Sequence, residues 1–285
     1  MKRETKIGIS ILFLLSLIAF FVWREVLFFS EAAALKVIFF DVGEGDCALI
    51  EMPKSIQVII DGGPSKSVVS KIVSNMPFFD RKIELVILTH PDKDHITGLF
   101  EIFDTFEVEK VLMPEIKGSE SEKSLYLKFK EAVEKEKSQL IFAKQGQKIS
   151  FPGDIYFLVF WPQKDFVSNE TNDFSLVGKL IFGKVSFLFT GDISSKIETQ
   201  LANENLNLES SVLKVSHHGS KYSTSSNFLE KVKPLIAVIS VGKNNYSHPS
   251  REVLERLEKF GIKTLTTEKN GDIKIKTNGS ELIIK

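Results

Sequence analysis

An apolar run at positions 85–88 (Leu-Val-Ile-Leu) reads as a buried strand and delivers Thr89-His90-Pro91-Asp92-Lys93-Asp94-His95. The residues that follow, Ile96-Thr97-Gly98-Leu99-Phe100, open a helix. Two imidazoles and two carboxylates on a tight turn at a strand end can converge on one point. Those donors suit a divalent cation, because imidazole takes zinc, iron or manganese and carboxylate oxygen favours harder ions. A solvated polar loop would account for one such stretch. All five histidines, however, fall in three short clusters, here, at His217-His218 and at His248. Each cluster follows a strand-like apolar run (85–88, 211–215 and 235–241), so the same kind of strand end delivers all three.

Around these runs the chain alternates short strands, turns and helices. Strands at 35–41, 47–51 and 56–60 are separated by the glycine turn Val42-Gly43-Glu44-Gly45-Asp46 and end in Asp61-Gly62-Gly63-Pro64. Helices are expected at 67–74, 121–137, 194–201, 225–233 and 250–260. Further strands are expected at 108–113, 155–160, 212–215 and 235–241, and 175–190 reads as a hairpin across Gly183-Lys184. The charged helix at 121–137 reads as solvated surface. Two mixed halves of this kind predict an α/β (α+β) fold of two sheets packed face to face with helices outside. No linker after Leu35 divides the chain, so 35–285 is expected to be one domain.

The N-terminus is different. A basic flank (Lys2, Arg3, Lys6) precedes a run at 7–23 that is apolar apart from Gly8, Ser10 and Ser16, and a second run follows Arg24-Glu25. At about 1.5 Å per residue this stretch is long enough for a bilayer core. Ala32-Ala33-Ala34 offers the A-x-A site of a cleaved signal peptide, but the run exceeds a signal's apolar core. Residues 1–34 are therefore expected to form a single-pass transmembrane anchor, N-terminus cytoplasmic, with 35–285 on the exported side. The single cysteine, Cys47, permits no intrachain disulfide and reads as a core residue.

The ordered motifs carry a resemblance. They are 40–46, 60–64, 88–95, Phe189-Thr190-Gly191-Asp192, Leu213-Lys214-Val215-Ser216-His217-His218-Gly219-Ser220, 239–242 and Ser247-His248-Pro249-Ser250. Taken in order, they resemble the metallo-β-lactamase superfamily, an αββα sandwich. More narrowly they are similar to the C-terminal domains of ComEC-type competence proteins. The resemblance implies that His90 and Asp92 hold one divalent metal and that Asp94 and His95 hold a second. It implies that Asp192 bridges them and that one of His217 and His218, preferably His217, completes the second site. Asp61 would stand behind the ligands and orient one of them, and Asp94 would also orient the attacking water. His248 would sit at the rim, to touch the substrate or donate a proton. Ser220 reads as a phosphate or loop-capping donor, and Lys221, in the loop after the motif strand, would lie beside the substrate.

Two departures set this chain apart from the wider superfamily. Asp92 stands where the signature has histidine, and no histidine lies between His95 and His217, where Asn172 or Asp173 would supply oxygen instead. An oxygen-rich site is weaker for zinc, so Zn or Mn, as one ion or two, is expected.

Lys+Arg and Asp+Glu balance at 37 each, which gives no global signature of a nucleic-acid binder. Between 214 and 263 the balance shifts, with nine basic residues against four acidic ones. Two readings compete for it, a solvated helix face at 251–259 and a positively lined cleft for phosphodiester built from Lys221, Lys243 and His248. The expectation is a membrane-anchored, metal-dependent hydrolase, a phosphodiesterase or nuclease acting on DNA during uptake beside a separate channel protein. The alternatives are a hydrolase of a small ester, lactone or β-lactam, or a non-catalytic DNA-binding partner of that channel.

Overall fold

In a computed structural model of the chain, residues 3–31, 34–77, 79–116 and 123–284 are described. Two sheets form the centre. The first runs, edge to edge, through Leu282–Ile284, Ile273–Thr277, Leu35–Phe39, Ala48–Met52, Ile56–Ile60, Leu85–Ile87, Lys110–Met113 and Gln139–Phe142. The second runs through Lys263–Thr266, Ile236–Ile239, Val212–Lys214, Val185–Phe189, Val177–Phe182, Ile155–Trp161 and Lys148–Phe151. Both are mixed in the same way, with antiparallel strands on one side and parallel strands on the other.

Alternation of side chains along the strands sorts the core into layers. Phe39, Val58, Ile60, Leu85 and Ile87 point inward to meet Phe157, Leu180, Phe187, Phe189, Val212 and Val238 of the other sheet. Their neighbours Ile38, Ile59 and Val86 face outward onto Ile72, Ile96, Leu99 and Phe129 of the first helix layer. Leu188, Leu213, Ala237 and Ile239 face Ile197, Leu201, Phe228, Val253 and Leu257 of the second helix layer. Strands buried on both faces read as continuous apolar runs, and each such side chain contributes roughly 1.5–3 kcal/mol by leaving water. The expected face-to-face sandwich with outer helices is what forms. Cys47 is buried in it, and burial raises its thiol pKa.

Three features differ from the sequence expectations. The helix after the histidine loop starts at Lys93 and runs to Thr105, so Asp94 and His95 occupy its first turn rather than the loop. The segment after Phe260, where no strand is expected, supplies three, and Ile273–Thr277 pairs antiparallel with Leu35–Phe39 to tie the C-terminal segment to the first sheet. The N-terminal helix, Arg3–Glu31, carries exposed apolar side chains from Ile9 to Phe21. Among the described residues, however, no helix is long and apolar enough to cross a membrane. Ala32 and Ala33 of the A-x-A site, and the start of the expected helix at 121–137, lie outside the described residues; the rest of that helix forms, as Lys123–Glu136.

Candidate metal centre

Parallel pairing puts successive strand ends on one rim. Asp61 follows Ile56–Ile60, His90 follows Leu85–Ile87, and Asp192 follows Val185–Phe189. His217 and His218 follow Val212–Lys214, and His248 lies in the loop after Ile236–Ile239. The loops leaving the carboxyl ends of parallel strands are where open α/β sheets build their sites, and the three histidine clusters meet there. Two glycines allow the first helix to approach this rim. A Cβ on Gly98 would lie 1.9 Å from the Gly62 carbonyl oxygen. The bare backbones instead exchange bonds, Gly62 N–H to the His95 carbonyl at 2.7 Å and Gly98 N–H to the Gly63 carbonyl at 2.9 Å.

Hydrogen bonds settle the histidine tautomers, because a carboxylate or carbonyl oxygen can only accept. His95 Nδ1 donates to Asp61 Oδ2 at 2.9 Å. Thr89 Oγ1 donates to the same carboxylate at 2.7 Å, and the Thr89 amide donates to its Oδ1 at 2.8 Å. With its proton committed to Asp61, the Thr89 oxygen accepts from His90 Nδ1 at 3.0 Å. One buried carboxylate thus orients two imidazoles, His95 directly and His90 through Thr89. His218 Nδ1 donates to the Ser240 carbonyl at 2.8 Å. In neutral rings, all three Nε2 lone pairs therefore face inward.

They face carboxylates. His90 Nε2 lies 3.6 Å from Asp92 Oδ2 and 3.9 Å from Asp192 Oδ2. His95 Nε2 lies 3.7 Å from Asp94 Oδ2 and 3.5 Å from Asp192 Oδ2. His218 Nε2 lies 3.2 Å from Asp94 Oδ2 and 3.4 Å from Asp192 Oδ2. His90 Nε2, His95 Nε2 and Asp192 Oδ1 are buried with no hydrogen-bond partner. Orphaned buried acceptors of this kind call for an explanation, and the chemistry of the set fits a cation. His90, His95 and Asp192 form one candidate ligand group and Asp94, His95 and His218 another.

Electrostatics in the metal-free protein follow from this crowding. Burial disfavours charge on His218, but the Asp192, Asp94 and Asp46 carboxylates outweigh it and raise the ring's pKa to about 10. Burial likewise opposes ionisation of Asp94, yet the hydrogen bond from His218 and the nearby His95 hold its carboxyl well below the usual range. Asp192 is held low by the same two rings against its own burial. His217 and His248, farther from the carboxylates, are lowered by burial first and by neighbouring imidazoles second.

Sequence reasoning preferred His217 over its neighbour; the structure brings His218 into the group instead. Both residues adopt left-handed backbone (φ 48° and 51°), which sends adjacent side chains in different directions. The His217 ring turns toward the rim, 5.5 Å from the His248 ring, with its Nδ1 3.4 Å from Asn172 Nδ2. Asp173 turns away, accepting from Ser168 Oγ and Ser194 Oγ. Ser220 is buried and its Oγ accepts from the Tyr222 amide, so it braces its own loop rather than lining the cleft. Lys221 is exposed with its ammonium over the Tyr222 ring, 5.1 Å from the centroid, and does not line the cleft either. Lys214, one of the nine basic residues counted between 214 and 263, is buried and paired with Asp46 at 2.6 Å.

Asp46, Glu44 and Tyr246 are residues that sequence reasoning left without a role. Asp46 is buried with an oxygen 3.5 Å from His218 Nδ1, and it groups with Asp61 and His95. Its signal was its place in the glycine turn of 42–46. A cleft of about 240 Å³ opens over the centre, lined by Glu44, Asp92, Asp94, Asp192, His217, His218, Tyr246 and His248.

An αββα sandwich with imidazoles and carboxylates converging at its strand-end rim defines the metallohydrolase class. The chain belongs to the metallo-beta-lactamase superfamily, whose pattern it matches over residues 40–243. It is similar to ComE operon protein 3 of Bacillus subtilis, 32% identical over 255 residues covering 82% of this chain and 32% of that one. It is also similar to competence protein ComA of Neisseria gonorrhoeae, 40% identical over 104 residues, covering 36% of this chain and 15% of that one. The resemblance to competence proteins expected from sequence therefore holds, and the chain spans about a third or less of the length of these relatives. Among solved structures, the metallo-β-lactamase-fold protein YhfI from Bacillus subtilis superposes with a TM-score of 0.56 at 11% identity, covering 84% of this chain and 99% of that one.

Proposed function

We propose that the chain is a metal-dependent phosphodiesterase that cleaves DNA on the exported side of the membrane during DNA uptake. The observation that carries the reading is the set of oriented imidazole nitrogens and unpartnered buried carboxylate oxygen beneath one small cleft. Membership in a family of metal-dependent hydrolases supports the chemistry, and the competence-protein relatives support DNA as the substrate.

His90, Asp92 and Asp192 would hold one divalent ion, and Asp94, His95 and His218 would hold a second with Asp192 shared. An ion so held neutralises developing charge on a phosphoryl oxygen and acidifies water. Asp94, kept ionised by its imidazole neighbours, accepts a hydrogen bond from the attacking water and orients it. His248, in the cleft wall with its Nδ1 3.6 Å from Glu44 Oε1, would supply a proton to the leaving oxygen. Asp92 in place of an imidazole makes the first position oxygen-rich and favours Mn²⁺ over Zn²⁺. The exported, tethered placement rests on the basic flank and the apolar run at 7–23, and the partner in that setting would be a separate channel protein.

Elemental analysis of the purified chain, followed by cleavage assays on single- and double-stranded DNA with Mn²⁺, Zn²⁺ and Mg²⁺, tests the reading. A chromogenic β-lactam serves as the competing substrate. Metal-dependent DNA cleavage that Asp92→Ala and His95→Ala abolish, with the circular dichroism spectrum retained, is expected. Bound metal with β-lactam turnover and no DNA cleavage would overturn it. Protease accessibility in intact cells and spheroplasts tests the exported placement.

A further inference from the structure

The cleft wall ends in an aromatic ring that the chemistry above does not use. Tyr246 lines the cleft and is 74% exposed, far more than a tyrosine needs for its hydroxyl alone. Its ring is stacked on that of His248, with centroids 5.7 Å apart and planes inclined by 30°, so one face is supported and the other is open. The loop that carries it is held by one side chain. Asn244 Oδ1 accepts from the Tyr246 amide at 2.9 Å and the His248 amide at 3.0 Å. Asn244 Nδ2 is placed to donate to the Gly242 carbonyl at 2.9 Å and the His248 carbonyl at 2.8 Å. The Gly242 backbone is in turn pressed against the 43–46 turn, where an added Cβ would meet the Gly43 carbonyl carbon at 2.5 Å. An aromatic ring on so braced a loop loses little freedom when something stacks on it.

The size of the cleft says what would stack. About 240 Å³ accommodates a phosphodiester and part of its sugar, while His90 and His95 lie fully buried beneath. A base attached to that sugar has to remain outside, at the rim, where the open face of Tyr246 is. In a duplex that base is already stacked and paired, whereas in a single strand its face is free.

We propose that Tyr246 is a stacking platform for the nucleobase next to the scissile phosphate, supported from behind by His248 and the Asn244-braced loop, and that it directs the site to unpaired strands. This rests on the phosphodiesterase reading and names its substrate class. Aromatic stacking is sequence-tolerant because every base presents a π face, so the platform selects unpaired over paired DNA without selecting a sequence.

The test uses the full chain loaded with Mn²⁺ and a short single strand on a phosphorothioate backbone that resists hydrolysis, carrying 2-aminopurine at one position. A matched strand is abasic at that position. Wild type is expected to quench the 2-aminopurine fluorescence and to bind the base-bearing strand about 5- to 100-fold more tightly than the abasic one. In Tyr246→Ala both the quenching and that discrimination disappear, and in Tyr246→Phe and Tyr246→Trp both are retained. Equal losses on base-bearing and abasic strands would mean that the ring only props His248 and would overturn the proposal. So would undiminished discrimination in Tyr246→Ala. Failure of the wild-type protein to bind or cleave any DNA would instead remove the phosphodiesterase reading underneath, and a β-lactam or ester assay on the same sample separates that outcome from the first two.

Discussion

Asp61 lies behind the centre, on the far side of His95 from Asp192, and decides how two of the imidazoles present themselves. It is 1% exposed and accepts three hydrogen bonds, from the Thr89 amide, the Thr89 hydroxyl and His95 Nδ1. In Asp61→Asn one oxygen still serves the Thr89 amide, but an NH₂ group now faces the Thr89 hydroxyl and His95 Nδ1. His95 has to move its proton to Nε2 or lose its partner, and the Thr89 hydroxyl has to turn and donate to His90 Nδ1. The first change removes a lone pair from the centre. Loss of such an orienting partner costs about 10- to 100-fold in metal affinity, or about 1.4–2.8 kcal/mol. Thr89→Val breaks only the His90 branch and is expected to cost about tenfold. The double variant should fall short of the sum, since both act through one network. Affinity is read by competition with a chromophoric chelator, with thermal unfolding as the control for the fold. Asp61→Asn holding metal as tightly as the parent would refute the reasoning.

His218→Ala is expected to lose more metal affinity than His217→Ala, by about tenfold or more, in the same competition assay. Asp92→His should shift the ratio of Zn²⁺ to Mn²⁺ affinity toward zinc, because an imidazole replaces an oxygen donor; an unchanged ratio would place Asp92 outside the ligand set. Gly98→Ala should lower stability by about 1–3 kcal/mol or prevent folding, since its Cβ has nowhere to go but the Gly62 carbonyl; denaturant unfolding measures it. The pKa of His218 in the metal-free protein is raised to about 10 from an unfolded value near 6.5, so its contribution is complete below pH 6.5 and is lost as pH rises toward 10. Metal-free stability should fall across that window by up to about 1.4 kcal/mol per pH unit, and metal-loaded protein should show a flatter profile. A flat profile without metal would contradict the carboxylate cage drawn around the ring.

The strongest features of the sequence were those with local physical causes. Apolar runs at 85–88, 212–215 and 235–241 predict strands because both of their faces are buried, and the polar residues after them are the site. The hairpin at 175–190 and the outer helices followed from alternation and periodicity. Other features had no local signal. Whether Asp94 and His95 belong to a loop or to a helix depends on Gly62 admitting the helix backbone, a contact across 36 residues. Lys214 adds to the local basic excess in the sequence, but Asp46, 168 residues earlier, neutralises it. The strands after Phe260 are short and are placed by partners elsewhere in the chain, Ile273–Thr277 by Leu35–Phe39 and Lys263–Thr266 by Ile236–Ile239.

By itself the sequence determined the layered α/β architecture, the family, and the inventory of imidazoles and carboxylates at strand ends, because composition and periodicity are properties of neighbouring residues. The tertiary structure decided which of two adjacent histidines faces the centre, that a single carboxylate orients two rings, and that Tyr246 stands at the rim. Those are directions in space. At His217 and His218 a left-handed backbone, held by packing against other strands, sends identical side chains to different places.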